Sequence, residues 1–179
     1  MSTQELFDFA QVRYRQARNL ISDKIELIRK NYPDFNAKDS YFQFDIIVQY
    51  ILLRVALADG KFLEIEGEFI DQITDSYDIL QLFDRHDANY NWSFAGALMT
   101  FQQIQSLVNR VEKLAKEHIL AFSDLLAEME RVDGGKECIQ QILQCINDIA
   151  SAFIMADGNA TAKEVEIATN VVQECLTNK

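Results

Sequence analysis

The sequence predicts an all-α protein, and three observations carry that prediction. A single proline, Pro33, and six glycines in 179 residues leave long stretches with nothing to break a helix. Helix-forming residues dominate those stretches, while the β-branched alternation of a strand is scarce. Apolar residues make up 49% of the chain and recur at helical steps of three and four. A chain of this length fits one domain, or one domain with a helical extension. Folding at this size buries roughly 68–70% of the unfolded surface, so a core forms without covalent staples.

The first helix is expected over about residues 3–31, ending at Asn31-Tyr32-Pro33, where proline forbids continuation. Its apolar stripe reads Leu6, Phe9, Ala17, Leu20, Ile21, Ile25 and Ile28, interrupted by Arg13. The second runs from Ser40, a candidate N-cap, to Ala58, with Phe44, Ile47, Val48, Ile51 and Val55 on one face. Asp59-Gly60 stops it, because Gly60 can take the left-handed conformation of a helix end. A third helix over about 63–75 buries Ile65, Phe69 and Ile73.

Residues 76–92 are the least regular part, with Tyr77, Phe83, Tyr90, Trp92, Phe94 and Phe101 giving residues 76–101 a high aromatic density. Beyond Ser93, a candidate cap, one long helix or two nearly continuous ones reach about Val132. They carry Ile104, Leu107, Val111, Leu114, His118, Phe122, Leu125 and Met129. Asp133-Gly134-Gly135 reads as a hinge. From Lys136, Ile139, Ile142, Ile146, Ile149 and Phe153 form a heptad-like seam that ends at Asp157-Gly158. A last helix begins at Thr161 and runs to about Leu176.

Formal net charge is −11, which argues against a general nucleic-acid binder, since phosphate contacts need clustered Lys and Arg. It suits metal cations or basic partner surfaces, and keeps a protein dispersed in any case. Residues 1–32 run against the trend at +2, with six basic residues against four acidic ones. Cys138, Cys145 and Cys175 are odd in number, lack a Cys-x-x-Cys spacing, and are expected to be small buried hydrophobes in a reducing, cytoplasmic setting. The N-terminal residues do not resemble a signal peptide, and the most apolar run, Ile46 to Ala58, is too short to span a bilayer.

The most informative feature appears when the chain is laid on itself with an offset of 98. Ala58-Asp59-Gly60 then falls on Ala156-Asp157-Gly158, Glu66 on Glu164 and Glu68 on Glu166. Apolar positions match before the turn (Val48 with Ile146, Ile51 with Ile149, Val55 with Phe153) and after it (Phe69 with Ile167). The two repeat units span about 40–75 and 136–176, leaving residues 1–39 as an N-terminal helical extension of a 40–179 domain.

An apolar helix, Ala-Asp-Gly, and a Glu seven residues after the Asp together resemble the signature of the TerB-like domain, named for tellurite-resistance proteins. The resemblance implies two such units around a pseudo-twofold axis in a helical bundle of seven to eight helices, with the first helix packed on it or projecting from it. It also implies an acidic metal site. Carried over residue by residue, the metal candidates are Asp59 and Glu66 from the first unit and Asp157 and Glu164 from the second. The first unit departs from the second in having Leu63 where Thr161 stands and Gly67 inside the helix start.

Physically, an Asp at a helix end and a Glu in the next helix's first turn can converge across a tight loop. Four carboxylates brought together in this way repel, and a hard cation such as Mg²⁺, Mn²⁺ or Ca²⁺ resolves the conflict. A second account needs no metal. Glu in a first turn favours the helix dipole, and Thr161-Ala162-Lys163-Glu164 is a capping box, which uses Glu164 on backbone amides. Both accounts stand at this point.

Other constellations carry less. Asp87-Ala88-Asn89-Tyr90-Asn91 imitates an EF-hand start, but Trp92 and Leu98 stand where the loop needs Gly and Glu. His118, on an apolar stripe, reads as a satisfied core histidine, and His86 has no Cys or second His nearby for zinc. No nucleophile elbow, P-loop or cysteine-protease signature occurs, so no enzyme is expected. The function expected is a bacterial cytoplasmic interaction or sensing module, with a divalent cation as its one candidate cofactor. The alternative is a structural adaptor that holds a protein partner through the first helix and the aromatic 76–101 segment.

Overall fold

The computed structural model describes residues 1–58, 64–74, 101–158 and 160–177, and among the described residues the chain forms six α-helices and no strand. These are α1 (Thr3–Asn31), α2 (Ala37–Ala56), α3 (Glu64–Ile73), α4 (Phe101–Glu130), α5 (Gly135–Ala156) and α6 (Ala162–Thr177). Asp59, Gly60, Leu63, His86, the EF-hand imitation and the aromatic residues before Phe101 lie outside the described residues.

α1 opens with a capping box: Ser2 Oγ accepts from the Glu5 amide at 3.2 Å, and Glu5 accepts from the Ser2 amide at 2.6 Å. Its buried stripe is Leu6, Ala10, Tyr14, Ala17, Ile21, Ile25 and Ile28. Phe9, expected on that stripe, is 41% exposed, because it lies about 60° or more around the helix from Leu6 and Ala10. Arg13 interrupts the stripe because it reaches sideways to α5, where its Nε stands 2.8 Å from the Asp148 carboxylate.

α2 starts three residues before Ser40. Asn36 is the N-cap, accepting from the Asp39 amide at 3.2 Å, while the Ser40 hydroxyl donates to the Asn36 carbonyl. Asn and Ser cap equally well, so composition does not choose between them. The expected face of Phe44, Ile47, Val48, Ile51 and Val55 is buried, and so are Ile46, Tyr50, Leu52 and Leu53. A helix buried all round is the centre of a bundle.

α4 ends at Glu130, and the Gly134-Gly135 hinge turns the chain into α5. Gly134 has φ 69°, a left-handed conformation that costs an L-residue roughly 1–2 kcal/mol. Gly135 is needed for a different reason: a Cβ there would collide with the Met129 carbonyl. On α4 the side chains of Ile104, Leu107, Val111 and Leu114 lie outside the described part, while Ala115, Ile119, Phe122, Leu125 and Met129 are buried. Of the expected α5 seam, Ile142, Ile146, Ile149 and Phe153 are buried and Ile139 is partly buried against the core.

α1 lies antiparallel along α5, joined by Thr3 Oγ1 donating to the Ala156 carbonyl (2.9 Å), the Arg13–Asp148 pair, and Lys24 Nζ donating to the Asp133 carbonyl (2.8 Å). α4 lies along α2, tied by Arg54 to Glu112 at 2.8 Å. Aromatic contacts cross the core: Tyr14 stacks on Phe44 (5.7 Å), Phe44 meets Phe122 (6.2 Å), and Phe69 meets both Phe7 (5.1 Å) and Phe153 (5.2 Å) edge-on. No described helix is long and apolar enough to cross a membrane.

The helix starts have a regularity of their own. α1 and α4 begin at residues 3 and 101, α2 and α5 at 37 and 135, and α3 and α6 at 64 and 162, so each pair is separated by the same 98 residues. Exchanging α1 with α4, α2 with α5 and α3 with α6 turns every substantial helix packing into another one that is present. α1 on α5 becomes α4 on α2, and α2 on α6 becomes α5 on α3. At equivalent positions Ala17 and Ala115 are both fully buried, as are Ile28 and Leu126 to within 7%.

Candidate metal centre

The α5–α6 connection is built as its sequence dictates. α5 ends on Asp157 in the C-cap position, and Gly158 follows with φ 78°, the left-handed stop that glycine makes easily. Thr161 then caps α6: its Oγ1 accepts from the Glu164 amide at 3.2 Å, and Glu164 Oε2 accepts from the Thr161 amide (2.7 Å) and hydroxyl (2.9 Å). The capping box expected from Thr161-Ala162-Lys163-Glu164 is therefore formed.

Glu66 enters from the other half of the chain as the third residue of α3, the same place that Glu164 holds in α6. Leu63 before α3 has no side-chain oxygen, so a reciprocal box like that of Thr161 is chemically closed to Glu66. Glu66 and Glu164 are only 4% and 2% exposed. Asp157 is half-buried at the rim.

Carboxylate oxygens of Glu66, Asp157 and Glu164 all lie within 4.8 Å of one another. Three of the four residues expected at a shared site are thus brought together, and the fourth, Asp59, lies outside the described residues. An ion with oxygen ligands at about 2.1–2.6 Å can touch three atoms spaced this way. At such separations each pair of carboxylates repels by on the order of 3 kcal/mol at an effective dielectric of about 20, unless positive charge or hydrogen bonds meet them. Capping and metal binding do not exclude each other at Glu164. The box occupies Oε2, and a carboxylate offers two oxygens.

The remaining candidates have structural roles. His118 Nδ1 lies 2.7 Å from Gln43 Oε1, with Phe42 edge-on at 5.6 Å, and burial pushes its pKa below the usual histidine value. Cys138, Cys145 and Cys175 are unpaired and buried, and burial raises all three thiols, Cys175 to about 12. Two polar groups that sequence reasoning passed over stand inside the bundle. Asp45 is fully buried and accepts from the Tyr14 hydroxyl; Gln49 donates to the Ile70 carbonyl (3.3 Å) and Thr74 Oγ1 (2.8 Å). Both sit on α2 within the apolar stretch from Phe44 to Leu53, and that break in pattern is their signal in the sequence.

Comparison with known proteins gives no match to this chain among family models, curated proteins or solved structures.

Proposed function

We propose that this chain is a TerB-like, internally duplicated helical protein that binds one hard divalent cation between its halves. It acts as a non-enzymatic interaction or sensing module in a bacterial cytoplasm. The observation that carries this reading is the convergence of Glu66, Asp157 and Glu164 on one spot within 4.8 Å. An acidic pair within one hairpin is a local matter of capping. Acids from two hairpins nearly a hundred residues apart, two of them buried, meet at one spot, and a hard cation with oxygen ligands would bridge them there.

The common 98-residue spacing of all three helix pairs supports the duplication, and suggests a unit of three helices, with α1 the first element of the first unit. Oxygen-only ligands favour Ca²⁺, Mg²⁺ or Mn²⁺ over softer metals. An ion held by α3 on one side and α5–α6 on the other would clamp the halves, which gives a sensing module its switch.

The adaptor reading keeps one supporting observation: Phe9 and Val12 are 41% and 64% exposed on α1, an apolar edge open to a partner. Thermal melts separate the two. With Ca²⁺, Mg²⁺ or Mn²⁺ at about a hundredfold over Kd, stabilisation near 2.7 kcal/mol corresponds to a rise of roughly 5–10 °C for a chain this size. The wild type shows that rise with at least one ion, and a Glu66→Gln/Glu164→Gln variant does not. An equal response in both, or none in either, returns the protein to the adaptor reading.

A further inference from the structure

The first three turns of α1 lie across α3 and the end of α5, two of the elements that carry the acidic triad. Thr3 Oγ1 donates at 2.9 Å to the carbonyl of Ala156, the residue before Asp157. One turn on, Phe7 meets Phe69 of α3 edge-on at 5.1 Å, and Phe69 meets Phe153 of α5 at 5.2 Å. Gln11 Nε2 then reaches the Gln72 carbonyl, near the end of α3, at 3.5 Å. On the premise that a cation occupies the triad, we infer that these turns are the element that responds to it. The bound ion completes their seat, and Thr3 and Phe7 are positioning residues for the ion.

The connection is short. Thr3, Phe7 and Gln11 stand at i, i+4 and i+8, so they share one face of α1. Phe69 is three residues after Glu66, and Phe153 is four residues before Asp157. Each ring therefore lies one helical turn from a carboxylate of the triad, on the same side of its helix. Both rings are buried in the close-packed core, where a displaced side chain moves its neighbours.

An ion held by the triad fixes the spacing between Glu66 on α3 and Asp157 at the end of α5. The Thr3 and Phe7 contacts span that same gap, so fixing it favours the docked position of α1. Coupling of this kind is reciprocal: what the ion adds to docking, docking adds to ion affinity. Helix ends near a terminus are also where local opening costs least. Release of these turns would uncover Leu6, Phe7 and Ala10 beside the exposed edge of Phe9 and Val12, enlarging the apolar surface of the ion-free chain.

The second half of the molecule offers an internal comparison. At the positions 98 residues on from Phe7 and Gln11 stand Gln105 and Asn109, both exposed. Gln105 Nε2 donates to Asn109 Oδ1 within α4 at 3.2 Å, and Ile167 stands where the first half has Phe69. The aromatic seat is particular to the first half, so α1 follows the ion and α4 does not.

Isothermal titration of the full chain with Ca²⁺, Mg²⁺ and Mn²⁺ in turn, beside hydrogen exchange at the amides of residues 7–13, is the test. Thr3→Val removes the hydroxyl and keeps the side chain's shape, while Phe7→Ala removes the ring. Each is expected to weaken the ion that wild type binds by at least about fivefold. Gln4→Ala should leave affinity unchanged, since Gln4 is exposed and donates to Asp8 on the same helix. Saturating ion should slow exchange at amides 7–13 by a similar factor in wild type and not in Glu66→Gln. Contacts that serve the fold alone would lower the melting temperature of Thr3→Val and Phe7→Ala and leave their ion affinity at the wild-type value. That result, or unchanged exchange at 7–13 with the ion bound, overturns the inference and leaves the cation site standing. Failure of wild type to bind any of the three ions overturns both.

Discussion

Glu66 and Glu164 are each the third residue of a helix, stand 98 positions apart in the chain, and point their carboxylates at the same spot. Thr161 draws Glu164 into a capping box, whereas the residue three before Glu66 is Leu63, which has no side-chain oxygen to cap with. Two residues in equivalent places thus carry different local duties, and that difference makes the site open to dissection.

Capping and ligation separate through substitutions at one hairpin. Gln serves a capping box as well as Glu does, so Glu164→Gln keeps the cap and removes the charge. Thr161→Ala does the reverse, costing about 1 kcal/mol of stability while leaving the carboxylate in place. The expected outcome in thermal melts is that Thr161→Ala lowers the metal-free melting temperature and retains the metal-induced rise, whereas Glu164→Gln loses the rise. Identical loss of the rise in both variants would mean that the box itself carries the effect.

His118 gives the fold a component of acid sensitivity. Burial lowers its pKa, so the folded state resists the proton that the unfolded state accepts near pH 6.5. Between the folded and unfolded values the unfolded chain binds more protons, and stability falls as pH falls. Urea midpoints at pH 7.5 and 5.5 should therefore differ less in His118→Gln than in wild type. Gln can still hydrogen-bond to Gln43, which keeps the comparison clean.

The three cysteines should behave as core residues. Thiolate is the reactive form, and burial pushes each thiol up, Cys175 to about 12. In native buffer a disulfide-exchange reagent should label them slowly, at rates that track unfolding, and label all three promptly in denaturant. Fast native labelling at any one of them would place that residue on a mobile surface.

Helix positions were legible in the sequence where a residue has one physical role. Pro33 and the Gly134-Gly135 pair end helices whatever surrounds them, and the boundaries there agree with the structure to within a residue or two. The start of α2 was not legible, since Asn36 and Ser40 are chemically equal caps and only tertiary context selects Asn36. Phe9 was misplaced for a related reason: periodicity shows that α1 has a buried face but does not fix that face's edges. The 98-residue offset found from Asp-Gly turns and acids also governs the starts of α1 and α4. That pair escaped sequence reading because the two helices share almost no identical residues beyond Gln4/Gln102, Ala17/Ala115, Ile21/Ile119 and Leu27/Leu125. At the candidate site, residue types and spacing pointed to Glu66, Asp157 and Glu164, while their distance and burial required the fold. The Asp45–Tyr14–Arg18 chain was invisible because Asp45 reaches Tyr14 and Arg18 of α1 from α2, and no motif links the two helices.

Isothermal titration with Ca²⁺, Mg²⁺ and Mn²⁺ tests the shared site most directly. Because Glu66 and Glu164 belong to different halves, the account predicts one ion per chain, with binding lost in Glu66→Gln alone and in Glu164→Gln alone. Two ions per chain, each abolished by only one of the substitutions, would show two separate hairpin sites and contradict it.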